Sequence, residues 1–294
     1  MSAIHTLPQP FFETTGEVQA NTRRLILLSP HFPPGHTAGT LRWQKLARFA
    51  AENGWGMDVL SYDPKALPES ADESRLTELP PGVRVYGVAP QTFWFERFEK
   101  SLLRFKSSLR RGIAQGSEPS KSAPLAPAQN AYAPCELRGW PRTPQDWVRA
   151  YDAAMEYLRD GAWSRHAAAI AERIFDPARH QLVVSCGPPH MTHEGGRRVA
   201  ERCKLPLVVD MRDLWRLVEK LPPAVASSAW RRLAERYEPP VISRASLVVM
   251  NTPLARDAMQ RTYPESPGPI ISVLNGWDDD PLPQIHRDGE DRFL

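Results

Sequence analysis

Cysteine is scarce in this chain of 294 residues. Cys135, Cys186 and Cys203 are odd in number and lack C-x-x-C or metal-like spacing, which argues against a disulfide framework and for a reducing compartment. Long apolar runs are missing as well. Nothing approaches the roughly 18 consecutive apolar residues of a membrane span, and residues 1–24 hold no apolar signal-peptide core. We therefore expect a cytoplasmic chain, peripheral at most on the inner face of the membrane. Charge is nearly balanced at +3, so composition gives no reason to expect nucleic acid as a partner.

What is plentiful is proline. Thirty prolines are about twice the average usage, and they cluster, marking loops and linkers between segments that can order. With 41% apolar residues the chain can bury a sizeable core, and its length gives a prior of about two domains.

Short apolar runs alternate with helical patterns. Residues 24–29 read as a first buried strand, 31–40 as a loop, and Trp43, Leu46, Ala47 and Ala50 as one face of a helix ending at Asn53-Gly54. Residues 57–62 follow as a strand, so the chain opens on a βαβ unit. The loop lacks Gly-x-Gly-x-x-Gly, which weighs against a dinucleotide-binding oxidoreductase. Gly35 and Gly39 precede a helix N-terminus, where backbone N–H groups favour an anion; as two isolated glycines they read equally well as turn residues.

A third strand at 83–87 is followed by an insertion over about 90–163. Within it Phe95, Phe98, Leu102, Phe105 and Leu109 fall on one face of a helix whose other faces are basic. That helix, 95–111, either packs on the core or lies on an anionic membrane. Residues 114–144, rich in Ser, Pro and Ala, are expected to be disordered. Helical patterning resumes at Trp147, Tyr151, Met155 and Leu158, and again over 163–175.

The next strand, 181–186, runs into Gly187-Pro-Pro-His190, a turn that delivers an imidazole to a strand's carboxyl end. Helix 192–203 leads to the strand 205–210, which stops at Asp210-Met-Arg-Asp-Leu-Trp215. Two readings of that stop stand side by side: Asp213 caps a helix while Asp210 pairs with Arg212, or these groups and Trp215 sit where an open parallel sheet binds ligands. The spacing is one residue too long for an Asp-x-Asp metal motif, and no metal is expected. Beyond it we expect a helix at 229–238 closed by Pro239-Pro240, a strand at 245–251, a helix at 253–262, a strand at 270–274 and a turn at Asn275-Gly276.

Phe32-Pro-Pro34 with Gly39 and Arg42, Ser185-Cys-Gly-Pro-Pro-His190, Asp210-Met-Arg-Asp-Leu-Trp215, and Asn251-Thr-Pro253 with Val273-Leu-Asn-Gly-Trp-Asp278 occur in that order. Together they resemble glycosyltransferase family 4, retaining enzymes of the GT-B fold. The resemblance implies an α/β, Rossmann-like parallel sheet flanked by helices over 24–275, with a flexible tail at 1–23 and a linker at 276–294 toward a second, nucleotide-holding domain that would begin near the chain's end.

It also implies roles. Gly39, Thr40 and Arg42 belong to the donor phosphate loop, and His190 and Asp210 to the reacting centre. His31, Arg212, Asp213, Trp215 and Asn275 belong to the acceptor side of the cleft. The implied substrates are a nucleotide sugar and a glycan or lipid-linked acceptor, with no cofactor, and the fragment alone is expected to be inactive. A non-catalytic Rossmann-like module, binding a polysaccharide precursor or a protein partner, is the rival reading.

Overall fold

In the computed structural model of the protein, residues 7–14, 23–35, 37–66, 72–91, 93, 133–134, 141–218, 220–222 and 224–275 are described. The short apolar runs become strands: β1 (Phe12–Glu13), β2 (Arg23–Leu28), β3 (Trp55–Tyr62), β4 (Val83–Val88), β5 (Ala133–Pro134), β6 (His180–Gly187), β7 (Leu207–Met211), β8 (Lys220–Leu221), β9 (Leu247–Met250) and β10 (Ile270–Ser272). Eight of them form one sheet in the order β1-β4-β3-β2-β6-β7-β9-β10. All neighbours are parallel except β1, which runs antiparallel to β4. The central runs are apolar at consecutive positions because both faces are covered: Ile26, Leu27 and Leu28 are all fully buried.

The described helices are α1 (Ala38–Glu52), α2 (Pro144–Ile174), α3 (Met191–Cys203), α4 (Ser228–Arg244) and α5 (Pro253–Thr262). Trp43 and Ala47 of α1 pack with Phe32, Val59, Val85 and Val184 in one core layer. Residues of the other four helices, Trp163, Val199, Trp230 and Met259 among them, share the opposite layer with Ile26, Val183 and Val209. The chain moves outward from β2 through β3 to β4, returns by way of α2 to β6, and then runs the other way. The order in which strands are added therefore reverses between β2 and β6, the place where such Rossmann-like sheets open a crevice.

Three expectations change in the structure. The patterns at 147–158 and 163–175 are one helix, opened by a Thr143–Asp146 capping box. Trp147, Tyr151 and Leu158 are exposed, while Ala150, Ala153 and Tyr157 face inward. Small residues govern this choice, because α2 lies close against α3: a Cβ on Gly195 would sit 2.8 Å from the Ser164 carbonyl oxygen. Second, α4 does not stop at Glu238 but continues through Pro239 and Pro240 to Arg244. The carbonyls these prolines leave without donors belong to Glu235 and Arg236, both exposed, where water can replace the missing N–H groups. Third, Phe12–Glu13, within the expected tail, forms the edge strand β1.

Helix 95–111 and the linker 276–294 lie outside the described residues. Of the stretch 114–144, Ala133–Pro134 pairs with Lys220–Leu221 and Thr143 caps α2. No described helix is long and apolar enough to cross a membrane.

Candidate functional site

At the reversal point α1 begins with Thr37, whose hydroxyl lies 3.1 Å from that of the wholly buried Thr40. Gly39 in the first turn lets the Arg212 guanidinium lie against the helix backbone: a Cβ there would stand 2.8 Å from Cζ of Arg212, so any larger residue would displace the guanidinium. The guanidinium is held from the other side, where Nε donates to Gly187 O and Nη2 to Pro188 O, both at 3.2 Å. Among the described residues no carboxylate pairs with it. The positive end of α1 and an uncompensated guanidinium thus converge on one glycine.

Arg42, one turn further along α1, spends its donors elsewhere. Nε and Nη2 engage Asp210 at 3.2 and 3.0 Å, and Nη1 donates to Val273 O, Leu274 O and Asn275 Oδ1 at 3.2, 3.3 and 3.1 Å. Asp210 is buried, its charge met by a two-point ion pair. The residues expected on the phosphate loop, at the reacting centre and on the acceptor side therefore meet, but Arg42 and Asp210 meet each other. Arg212 pairs with neither aspartate of its own segment, and Asp213 is exposed.

His190 occupies the N-cap position of α3 without a side-chain capping bond and is half-buried, with Nδ1 shut away from solvent and without a partner among the described residues. Burial, and secondarily the Arg212 charge, push its pKa down to about 3, so it is neutral at pH 7. His193 packs against Gly187 with Nδ1 2.9 Å from Ser185 Oγ and Nε2 buried and unpartnered. Burial, then His190, then Arg212 hold its pKa well below the usual histidine value. His31, at the end of β2, is shifted down by burial and by Arg212, and meets Tyr62 edge-on. His31 and His190, both partly exposed, can exchange hydrogen bonds with a ligand, while the Arg212 charge makes the same edge hospitable to an anion.

Trp215 is absent from the surface altogether: it is fully buried, parallel to the His190 ring, with its indole N–H on Tyr157. Tyr157 and His193 escaped the reading of the sequence. His193 was accessible to it, lying one turn after His190 on the same helix. Tyr157 was hidden by a more conspicuous stripe on the exposed side of α2. Among the described residues no three His, Cys, Asp or Glu side chains gather as metal ligands do.

No family model matches the chain, and no curated protein matches it. Among solved structures it is similar to the N-terminal domain of trehalose-6-phosphate phosphatase from Candida albicans, with 9% identity and a TM-score of 0.44. The match covers 91% of this chain and 51% of that one, so the chain spans about half the length of this neighbour. A likeness this distant bears on neither activity nor ligand.

Proposed function

We propose that this chain is the acceptor-side half of a retaining GT-B glycosyltransferase, moving a sugar from a nucleotide-sugar donor to a glycan or lipid-linked acceptor. The observation that supports the reading is the seating of the Arg212 guanidinium on Gly39, at the N-terminus of α1 and beside His190. Retaining transfer develops negative charge on a departing diphosphate, and fixed positive groups aimed at that charge are how an enzyme lowers the barrier. Since Arg42 is occupied by Asp210, Arg212 takes the role of the cation in this reading. A neutral His190 supplies a polar contact to the sugar without adding charge.

The test measures nucleotide diphosphate released from mixed nucleotide sugars. Residues 1–294 alone should release none above background. The chain extended by its second Rossmann-like domain, of about 150 to 200 residues, should turn over. In that longer form Arg212→Gln and His190→Ala should each reduce turnover roughly a hundredfold, as expected for a lost transition-state contact. Repeated turnover by residues 1–294 would end the two-domain reading. No release by the longer form would leave the rival, a binding module, which the locked Arg42–Asp210 pair favours because it takes a strand-end carboxylate out of play.

A further inference from the structure

His190 is held from behind. Its imidazole lies 5.3 Å from the Trp215 ring, centroid to centroid, with 10° between the planes. The indole has little freedom to turn. Its Nε1–H donates to Tyr157 Oη at 2.7 Å, and Tyr157 is in turn stacked on Tyr237 and met edge-on by Trp230. The backbone beside Trp215 is pinned as well: Arg216 N–H donates to Glu238 at 2.6 Å, and Arg231 donates to the carbonyls of Arg216 and Val218. An indole with no exposed surface, its one donor spent inward on Tyr157, has nothing to offer an acceptor hydroxyl.

We propose that Trp215 is a positioning residue for His190: with Tyr157 it fixes the plane of the imidazole and keeps water from one of its faces. The proposal depends on the functional reading above only in taking His190 as a group that meets the ligand. The charged and titratable groups facing the ring are Arg212, from the end of β7, and His193, from α3. Arg212 opposes an imidazolium at position 190, and burial, to which the Trp215 face contributes, opposes it more strongly.

The experiment follows the His190 ring by NMR in the 294-residue chain labelled with 15N-histidine, from pH 7 to 4. The wild-type ring should stay neutral throughout and carry a ring-current shift from the indole. In Trp215→Leu that shift should vanish and the titration midpoint should rise by roughly one to two pH units, as water reaches the ring. Trp215→Phe keeps a stacked ring and should restore most of the midpoint. Tyr157→Phe, which frees the indole without touching His190, should change both readouts less and in the same direction as Trp215→Leu. A folded Trp215→Leu chain whose His190 titrates as in the wild type overturns the proposal. If that variant does not fold, an unchanged His190 in Tyr157→Phe overturns it instead. In the longer, active form Trp215→Leu should lower kcat several-fold with donor KM unchanged and Trp215→Phe should restore most of it, whereas a rise in KM alone would make Trp215 a binding contact and defeat the positioning role. Absence of turnover in every form would defeat the functional reading and leave the NMR outcome to decide this one.

Discussion

Arg24, Asp58 and His180 form a buried group in the lower half of the sheet that the reading of the sequence did not single out. Arg24 Nε lies 2.5 Å and His180 Nε2 2.8 Å from the same oxygen of Asp58, and the Asp176 backbone N–H donates to His180 Nδ1. Burial alone would raise the Asp58 pKa, but hydrogen bonds from His180 and Arg24, with the Arg24 charge, bring it below its ordinary 3.8. A depressed carboxylate stabilises the fold fully above its unfolded pKa and ceases to do so as pH falls through the folded one. Urea titrations should therefore show stability falling with acid below about pH 4. Asp58→Asn, which strands the Arg24 charge, should cost about 3 to 5 kcal/mol at pH 7 and flatten that acid limb. An acid limb unchanged in the variant would remove Asp58 as its source. The same limit on reading a sequence applies at the cleft. That His190, Asp210 and Arg212 stand at strand ends was legible from the apolar runs before them, and that Gly39 stands near a helix start from the pattern after it. That Arg42 pairs with Asp210 was not, because the partners are 168 positions apart and no local pattern encodes the pairing.

The seam between α2 and α3 shows which helical features can be read from sequence and which cannot. The Thr143–Asp146 cap fell in a stretch expected to be disordered, whereas the start of α5 was legible, since Pro253 after Thr252 follows known cap chemistry. The buried face of α2 was not, because large apolar residues at 147, 151 and 158 outweigh alanines in any periodicity, whereas close packing selects the alanines. On the opposite side of α3, against the sheet, Gly196 follows the same rule, for a Cβ there would lie 2.6 Å from Ser185 Cβ. Gly196→Ala must push α3 away from β6 and should destabilise the chain by about 1 to 3 kcal/mol, despite alanine's better helix propensity. Thermal or urea unfolding would check this, and a neutral or stabilising outcome would mean that the contact of α3 with β6 is looser than its geometry.

At the scale of the whole molecule the doubly wound α/β layout was legible, because apolar runs of strand length alternate with helical spacings and the order of elements leaves few ways to wind them. Attachment to an anionic surface is a separate expectation, resting on the basic sequence 95–111 alone. Co-sedimentation of the chain with anionic liposomes should be strong at low salt and weaken as salt rises, since the Debye length shrinks to about 10 Å at 0.1 M. Failure to bind at low salt would favour core packing of that segment.

The Arg42 bridge has a further consequence, in time. Its acceptors at Val273, Leu274 and Asn275 lie 231 to 233 positions later in the chain. During synthesis at roughly 5 to 20 residues per second, the β2-α1-β3 unit is therefore complete many seconds before the groups that satisfy Arg42 leave the ribosome. Until then the guanidinium is without its full set of acceptors, and so long-range a closure is among the slow steps of folding. The mouth of the crevice should accordingly be among the last parts of the described fold to take its final form.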